Sequence, residues 1–366
     1  MSKIKIVWCC FINQSGYGIS AQNYIKALDK SGKYDIKLEI YGGKPSRPAV
    51  SDSSYEYFMK MKNKEHSKKA IQIYQVIPTL QRRMERLDRN LGFCTYETYS
   101  PPEEWVNLLN KNDAILSPSK FNYKIFAHAR IKKPIFHIPH CIDMEEYHNE
   151  VKPLKRFDKF TFLYMGTWKK RKNYEALVES WFKEFTEDDN VQLLIKTDKP
   201  VRAESYVEKV KKELKNSKGF APILFENKIY SEKELPGFMK SFDCFILPTT
   251  GEGFNIPGLQ SMALGVPVII TNYSGCQDYA AEENATLLSP EGFIFHKDMD
   301  GIPQFKNRKW AFVSVKQIRE KMRYVLNNPE KVKDKVDKAY IFSRSNFNYN
   351  KIETLFTGMI DQLYGI

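Results

Sequence analysis

The stretch LPTTGEGFNIPGLQSMALG, Leu247–Gly265, combines an acid, several glycines and a helix start. A predicted strand ends at its beginning, Glu252 and Gly253 follow in a loop, and a predicted helix begins near Pro257. The free N–H groups and the positive dipole end of a helix N-terminus suit a phosphate, and a glycine lets the backbone come close to a ligand. We therefore expect this loop to bind a phosphorylated ligand.

A basic run, Lys169, Lys170, Arg171 and Lys172, follows a predicted strand that ends at Gly166. Arginine offers a planar fork and lysine a compact charge, and both suit the oxygens of a diphosphate. Such a run taken alone is more often a basic surface turn. Its assignment to a phosphate site depends on the motifs around it.

The glycines Gly16 and Gly18 fit the dinucleotide-binding spacing G-x-G-x-x-[GA] after the first apolar run. In a dehydrogenase the first glycine follows the strand almost immediately, and an acid closes the second strand. Here three polar residues intervene, and Glu39 lies inside its predicted strand. The dinucleotide-binding fingerprint is therefore weak, and we expect Ser15 or Ser20 to cap the following helix.

Apolar runs alternate with helical segments in two successive series. This rhythm is typical of buried parallel strands and indicates a doubly wound α/β architecture. A polar segment at residues 150–158, EVKPLKRFD, separates the two series. We predict an N-terminal domain at 1–152, a C-terminal domain at 153–345 and a final helix at 346–366 that packs on the first domain. The predicted strands are IKIVWCCFI, YDIKLEIYG, IQIYQVI, LGFCTYE, DAILSPS and IFHIPH, then FTFLYMG, VQLLIKT, PILFENKI, DCFILPTT and VPVIITN. The predicted helices include Tyr24–Asp29, Pro102–Asn110 and Asn122–Ala129, and others that start at Tyr174, Glu204, Glu232 and Gly258.

The length of 366 residues exceeds what one hydrophobic core usually organises, which also favours two domains. No apolar run approaches the ~20 residues of a membrane span, and we interpret the apolar start as the first buried strand. The six cysteines lack metal-ligand spacing. Buried free thiols are typical of a reducing compartment, so we expect a cytoplasmic protein.

The net charge of +13 predicts an anionic partner: a nucleotide, an anionic membrane surface or nucleic acid. The basic segment Met59–Lys69 could contact a membrane peripherally, although a solvated helix face is the more frequent interpretation of such a segment. Charge alone does not choose among these partners.

The motifs together resemble a large family of retaining glycosyltransferases, often called family four. Its block E-G-F-G-x-P-x-x-E-A-M-A-x-G-x-P-V-I resembles the stretch that begins at Glu252. FLYMGTWKKRKNYEALVESW resembles its V-G-x-x-x-x-R-K-N segment, and YSEKELPGFMKSFDCFILPT resembles its V-S-x-x-E-L segment. In the first half, CTYETYSPPEEWV resembles one branch's T-M-F-E motif. The resemblance covers most of the chain in the family's order.

The resemblance implies the GT-B fold, with two Rossmann-like domains facing each other across a cleft. It implies that Arg171 and Lys172 hold the leaving diphosphate of a nucleotide sugar and that Glu252 binds donor-sugar hydroxyls. It further implies transfer with retention, without a metal and without a cofactor besides the nucleotide-sugar substrate. GDP- or UDP-sugars are the expected donors, and a glycan, lipid or protein hydroxyl is the expected acceptor. Further donor-binding residues are expected at Gly253, Phe254, Asn255, Ile256, Lys196 and Ile229. The resemblance also implies that Gly16 and Gly18 form a glycine loop near the donor diphosphate.

Three positions depart from the family pattern. The second acid of the motif is Gln260, the last glycine of E-G-F-G is Asn255, and Glu97 stands where many members carry a histidine. Glu97 could contact the donor sugar or act on the acceptor, and a structural glutamate is an equally open interpretation. Lys196 could sense phosphate, but a lysine at a strand end is the slightly favoured interpretation.

These departures leave an inactive nucleotide-sugar-binding protein as the first alternative. An NAD-dependent oxidoreductase is disfavoured by the glycine spacing. A sugar transferase acting on DNA is indicated by charge alone, so nucleic acid is an unlikely partner.

Overall fold

The computed structural model describes residues 3–47, 49–83, 85–214 and 217–366. The chain divides into two compact units. The first unit comprises Met1–Glu145, Ser231–Lys233 and Arg344–Ile366, and the second comprises Glu146–Tyr230 and Glu234–Ser343. The sequence placed the junction slightly further along the chain, at residues 152–153.

The described elements alternate between strands and helices through most of the chain. The strands are β1 (Ile4–Cys10), β2 (Tyr34–Ile40), β3 (Ile71–Gln75), β4 (Arg89–Phe93), β5 (Ala114–Ser117), β6 (Ile135–His137), β7 (Phe160–Met165), β8 (Val191–Lys196), β9 (Ile223–Glu226), β10 (Cys244–Leu247), β11 (Val268–Thr271), β12 (Thr286–Leu288), β13 (Gly292–His296) and β14 (Arg308–Phe312). The helices are α1 (Gly16–Lys30), α2 (Asp52–Lys62), α3 (Glu103–Leu109), α4 (Lys120–His128), α5 (Tyr174–Glu184), α6 (Pro200–Leu214), α7 (Leu235–Met239), α8 (Ile256–Ala263), α9 (Val315–Asn327), α10 (Pro329–Asn346) and α11 (Tyr349–Tyr364).

The first unit contains a parallel six-stranded sheet in the order β2-β1-β3-β4-β5-β6. All six strands of this sheet were predicted. The last helix, α11, packs against this core through Ile352, Phe356 and Ile360, which are buried with residues of β1 and α1. The ring of Phe356 stacks on that of Trp8 at 5.9 Å.

The second unit contains another parallel six-stranded sheet, in the order β12-β11-β10-β7-β8-β9. Five of its strands were predicted, but β12 and the antiparallel pair β13–β14 were not. The two sheets with their flanking helices confirm the predicted pair of Rossmann-like domains of the GT-B fold.

Several predicted helix starts were wrong by a few residues. Helix α1 begins at Gly16 because Ser15 caps it, well before the predicted start at Tyr24. Helix α6 begins at Pro200 instead of Glu204, in keeping with the tolerance of proline in a first helical turn. Helix α7 begins at Leu235, after the predicted start at Glu232.

All six cysteines are buried free thiols. No helix among the described residues is both long enough and apolar enough to cross a membrane.

Candidate functional site

The candidate site of the second unit lies where strands β7 and β10 end. These strands are parallel neighbours, so their carboxyl ends meet at one edge of the sheet, where ligands of α/β proteins bind. Arg171 and Lys172 follow β7 in a short 3₁₀ helix, Lys170–Lys172, and Glu252 lies in the loop after β10. Residues predicted from separate motifs therefore come together.

Arg171 and Lys172 both pair with the same oxygen of Glu252. The Nζ of Lys172 lies 2.7 Å from Oε1 of Glu252, and Nη1 of Arg171 lies 3.0 Å from it. The hydroxyl of Thr249 also donates to this oxygen, at 2.9 Å. All three charged side chains are nearly buried, with 13%, 12% and 7% of the side-chain surface exposed for Arg171, Lys172 and Glu252.

Burial alone would raise the pKa of Glu252, because it disfavours the charged form. The positive charges of Lys172 and Arg171 outweigh this effect and, with the hydrogen bonds from Lys172 and Thr249, lower the pKa below its ordinary value. Glu252 is therefore an ionised carboxylate, which can only accept hydrogen bonds.

The backbone of Arg171 is tied to the loop after β10. The Thr250 hydroxyl donates to the Arg171 carbonyl at 3.0 Å and the Thr250 amide donates to it at 2.9 Å, while the Thr249 hydroxyl oxygen lies 3.0 Å from the same carbonyl. The Arg171 guanidinium also donates to the carbonyl of Gly251 at 2.9 Å. Sequence reasoning missed both threonines. The only signal was their position, directly after a predicted strand.

The backbone around Glu252 packs closely on the turn after β11. The Glu252 amide donates to Ser274 Oγ at 2.8 Å, and the Gly275 amide donates to the Glu252 carbonyl at 3.0 Å. A Cβ on Gly275 would lie 2.0 Å from the carbonyl oxygen of Gly253. Gly275 therefore permits this contact, and neither it nor Ser274 was among the predicted site residues.

Helix α8 begins directly after this loop, with Asn255 as its N-cap. Asn255 has φ of 69°, in the left-handed region where asparagine is among the few tolerated residues besides glycine. Its side-chain oxygen also accepts from the Gly258 amide. Asn255 thus occupies a left-handed backbone position and also caps the helix. Phe254 is buried against Tyr279, and Ile256 is the first, buried residue of the helix.

Gln260 lies on α8 and is buried. Its Nε2 donates to the hydroxyl of Tyr147 at 2.8 Å. Its Oε1 is buried and has no hydrogen-bond partner within the described parts of the chain. The side chain is therefore oriented by one bond and retains an acceptor.

Lys196 ends β8, the strand beside β7, and Ile229 follows β9. The Lys196 ammonium donates to the carbonyl of Lys228 and lies over the ring of Tyr230, 5.2 Å from its centroid. Burial lowers the pKa of Lys196, with the Glu226 carboxylate acting in the opposite direction. Ile229 is 39% exposed. Lys196 thus has the contacts of a strand-end lysine, and both residues remain predictions as donor-binding groups.

Gly16 and Gly18 lie in the first turn of α1, in the first unit. Ser15 caps the helix by accepting from the Gly18 amide at 3.1 Å. A Cβ on Gly18 would lie 2.3 Å from Oδ1 of Asn13, whereas a Cβ on Gly16 would meet nothing within 4 Å. Gly18 therefore allows the preceding loop to fold against the helix.

Glu97 follows β4 in the same unit. Tyr17, between the two glycines, accepts from the Thr95 amide at 3.0 Å. Burial is the main cause that raises the pKa of Tyr17, and the neighbouring Cys94 and Glu97 raise it further. Glu97 thus lies near the first turn of α1.

The described residues contain no group of three or more histidine, cysteine, aspartate or glutamate side chains arranged to hold a metal ion. Positive charge at the site comes from Arg171 and Lys172.

The family model for glycosyl transferases group 1 matches residues 159–297, which include Arg171, Lys172, Glu252 and Gln260. No curated protein matches the chain by sequence.

Solved glycosyltransferase structures match almost the whole chain. Anabaena HepE in complex with UDP and glucose matches with a TM-score of 0.68 and 11% identity, covering 98% of this chain and 100% of that one. Sucrose-phosphate synthase from Thermosynechococcus elongatus matches with a TM-score of 0.71 and 13% identity, covering 99% of this chain and 100% of that one. A UDP-forming α,α-trehalose-phosphate synthase from Burkholderia vietnamiensis matches with a TM-score of 0.68 and 11% identity, covering 100% of this chain and 99% of that one. At these identities the matches establish the fold.

Proposed function

We propose that this glycosyltransferase of the GT-B fold, whose residues 159–297 match the family model for glycosyl transferases group 1, moves a sugar from a UDP-sugar to a hydroxyl acceptor. We place it in family four, and we propose transfer with retention of anomeric configuration, on the strength of the ordered motifs. We further propose that the reaction needs no metal and no cofactor besides the nucleotide-sugar substrate.

The observation that carries the proposal is the convergence of two cations on one edge of the sheet. Arg171 and Lys172 lie within 3.0 Å of a single oxygen atom, and only 13% and 12% of their side-chain surfaces are exposed. A diphosphate presents several anionic oxygens that suit an arginine fork and a lysine ammonium. Because these side chains are largely buried, their charges act more strongly on a bound diphosphate than they would in water.

We assign the same two cations to the leaving group. When the bond between the anomeric carbon and the β-phosphate oxygen breaks, the electron pair stays with the diphosphate. Fixed cations aimed at developing charge are a major source of rate enhancement. In the proposed reaction the acceptor oxygen bonds to the anomeric carbon on the face that the diphosphate leaves, and the acceptor proton passes to a phosphate oxygen.

We assign Glu252 to the sugar rather than to the phosphate. Its contacts with Arg171, Lys172 and Thr249 all involve Oε1. The other oxygen, Oε2, is the acceptor that we assign to donor-sugar hydroxyls. Since the carboxylate is held ionised, it orients these hydroxyls without donating a proton itself.

We propose that Gln260 binds the ribose in place of the family's glutamate. Its amide is oriented by Tyr147, and its buried Oε1 is the acceptor that a ribose hydroxyl would use. This arrangement favours an active enzyme over an inactive binding member, because the substitution removes a charge but keeps an acceptor. UDP is the nucleotide named for the Anabaena and Burkholderia relatives, which favours UDP over GDP here.

A donor panel tests the proposal. We expect UDP release from at least one UDP-sugar in the presence of glycan or lipid acceptors, and nuclear magnetic resonance of the product should show the donor's anomeric configuration. Binding without turnover for every donor and acceptor would favour the inactive alternative. Binding of NADH but of no nucleotide sugar would favour the oxidoreductase.

The acceptor class and cellular location remain part of the proposal. A glycan, lipid or protein hydroxyl fits the proposed chemistry equally. The six buried thiols support a reducing compartment and hence the cytoplasm. Peripheral contact with an anionic membrane is the role we propose for basic surface segments such as Met59–Lys69.

A further inference from the structure

We propose that Asp300 is a positioning residue for the diphosphate-binding turn. It acts through the backbone of Lys170 and Arg171 and touches no substrate. This inference rests on the proposed function, since it concerns the turn assigned to the donor diphosphate.

The two oxygens of Asp300 accept from two successive backbone amides. Oδ1 accepts from the Lys170 amide at 2.5 Å, and Oδ2 accepts from the Arg171 amide at 3.4 Å. These amides begin the 3₁₀ helix Lys170–Lys172, whose N-cap residue, Lys169, makes no side-chain capping hydrogen bond. Asp300 therefore supplies from a distant part of the chain the cap that the local sequence lacks.

The carbonyl of Arg171 is held as well, because it accepts from the hydroxyl and the amide of Thr250. With Asp300 on its amide, the main chain of Arg171 is fixed on both sides of the residue. Fixing the main chain limits the directions that the guanidinium and the next residue, Lys172, can take. Side chains that meet a diphosphate with good geometry need such support.

Asp300 is itself held by a rigid segment between β13 and β14. Met299 beside it and Phe305 further along are buried, and Phe305 packs against Trp310 of β14 with ring centroids 5.0 Å apart. The amide of Ala311 in β14 donates to the Thr250 carbonyl at 3.0 Å, which joins this strand to the loop after β10. The carboxylate is thus presented from a packed segment.

Two physical effects of Asp300 oppose each other and can be separated. As a cap it favours diphosphate binding, because it orients the turn. As an anion near Arg171 it disfavours binding of another anion. Asp300→Gly removes both effects and suits the backbone, since Asp300 has φ of 62°. Asp300→Asn removes the charge but keeps one acceptor oxygen and tolerates the same φ.

The experiment compares wild type, Asp300→Gly, Asp300→Asn and the control Asp298→Asn. Asp298 is an exposed carboxylate of the same segment, so its variant removes the same charge without touching the turn. Calorimetry gives the affinities for UDP and UMP, and steady-state kinetics give kcat and KM for the donor. Because the proposed cations hold the leaving diphosphate, the ratio of UDP to UMP affinity reports on the turn.

We expect Asp300→Gly to weaken UDP binding about tenfold, as loss of hydrogen bonds to a charged group would, and UMP binding by much less. Asp300→Asn should recover part of this loss, with UDP binding roughly threefold weaker than in wild type, since one of two bonds remains. The donor KM should rise in the same order. Asp298→Asn should have the UDP affinity and the donor KM of wild type.

Three outcomes would overturn the inference. A lower melting temperature in Asp300→Gly with an unchanged UDP to UMP ratio would show a purely structural role. Tighter UDP binding in both Asp300 variants would show that its charge dominates. If Asp300→Gly does not fold, a wild-type UDP affinity in Asp300→Asn would overturn the inference. Failure of wild type to bind any nucleotide would instead refute the proposed function, and this inference would fall with it.

Discussion

Replacing Glu252 by glutamine should destabilise the empty protein and yet strengthen its response to UDP. The carboxylate is the common partner of Arg171 and Lys172 in a nearly buried cluster. Glutamine has nearly the same shape but no charge. The change therefore leaves two buried cations without their anion.

The size of the loss follows from the distances. At an effective dielectric of ~20, Coulomb's law gives roughly 6 kcal/mol for unit charges separated as Lys172 and Glu252 are. Desolvation offsets part of this energy, and removing one partner of a buried ion pair costs about 3–5 kcal/mol. Because glutamine keeps an oxygen that can accept one hydrogen bond, we expect the lower end. A loss of about 3 kcal/mol lowers the melting temperature of a domain of this size by roughly 6–12 °C.

UDP should reverse much of this loss. In wild type the diphosphate shares Arg171 and Lys172 with a resident carboxylate. In Glu252→Gln the same cations have no competing anion, so UDP should raise the melting temperature of the variant by more than it raises that of wild type. Transfer should nevertheless fall by about 10²–10³, because the ligand assigned to the donor-sugar hydroxyls has changed.

Thermal melts by circular dichroism, with and without UDP, measure both effects, and a UDP-release assay measures turnover. The matched control is Glu208→Gln, which neutralises an exposed glutamate on α6 and should leave all three quantities unchanged. Wild-type stability in Glu252→Gln would refute the buried ion cluster. If UDP raises the melting temperature of Glu252→Gln by no more than it raises that of wild type, the assignment of Arg171 and Lys172 to the diphosphate is refuted.

Further predictions concern substitutions of single residues. Lys172→Ala should weaken UDP binding and abolish measurable transfer while the fold persists, and wild-type turnover would contradict the site. Gly18→Ala should lower the free energy of unfolding by about 1–3 kcal/mol, since the new Cβ would overlap the preceding loop. Gly16→Ala should leave it unchanged or raise it by up to ~1 kcal/mol. Denaturant melts that rank the two variants in the reverse order would contradict this expectation. Acidification should also destabilise the protein through Glu226. Burial alone would raise its pKa, but Lys155 and further hydrogen-bond donors lower it from 4.5 to about 2. The stabilisation by Glu226 is therefore complete above pH 4.5 and is lost as the pH falls towards 2. In Glu226→Gln the free energy of unfolding should depend less on pH over this range. The same pH dependence in wild type and variant would exclude the effect.

Patterns along the sequence predicted most of the fold because buried parallel strands are continuous apolar runs. Those runs located eleven of the strands and the C-terminal helix. Strand β12 has only three residues, and β13–β14 is a two-stranded pair with an exposed outer strand, so neither gives a clear periodic signal. The start of α1 was placed too late although Ser15 was a candidate cap, because the first turn, Gly16 to Ser20, is rich in glycine and serine and lacks an apolar helical pattern.

The candidate site was predictable where chemistry is carried by unusual residues at fixed spacing. The basic pair Arg171 and Lys172 and the acid Glu252 stood out in the sequence and meet in the structure. Thr249 and Asp300 did not stand out, because their contacts with the basic turn join positions far apart along the chain. Such contacts depend on strand order and on how loops pack, which short motifs do not encode.

Arg171 and Lys172 are proposed to bind a donor diphosphate without a divalent ion. Calorimetric titration of the EDTA-treated wild-type protein with UDP measures this binding. We expect saturable heat, with an affinity that Mg²⁺ leaves essentially unchanged. An absence of binding under EDTA, restored by Mg²⁺, would contradict the assignment of the two cations.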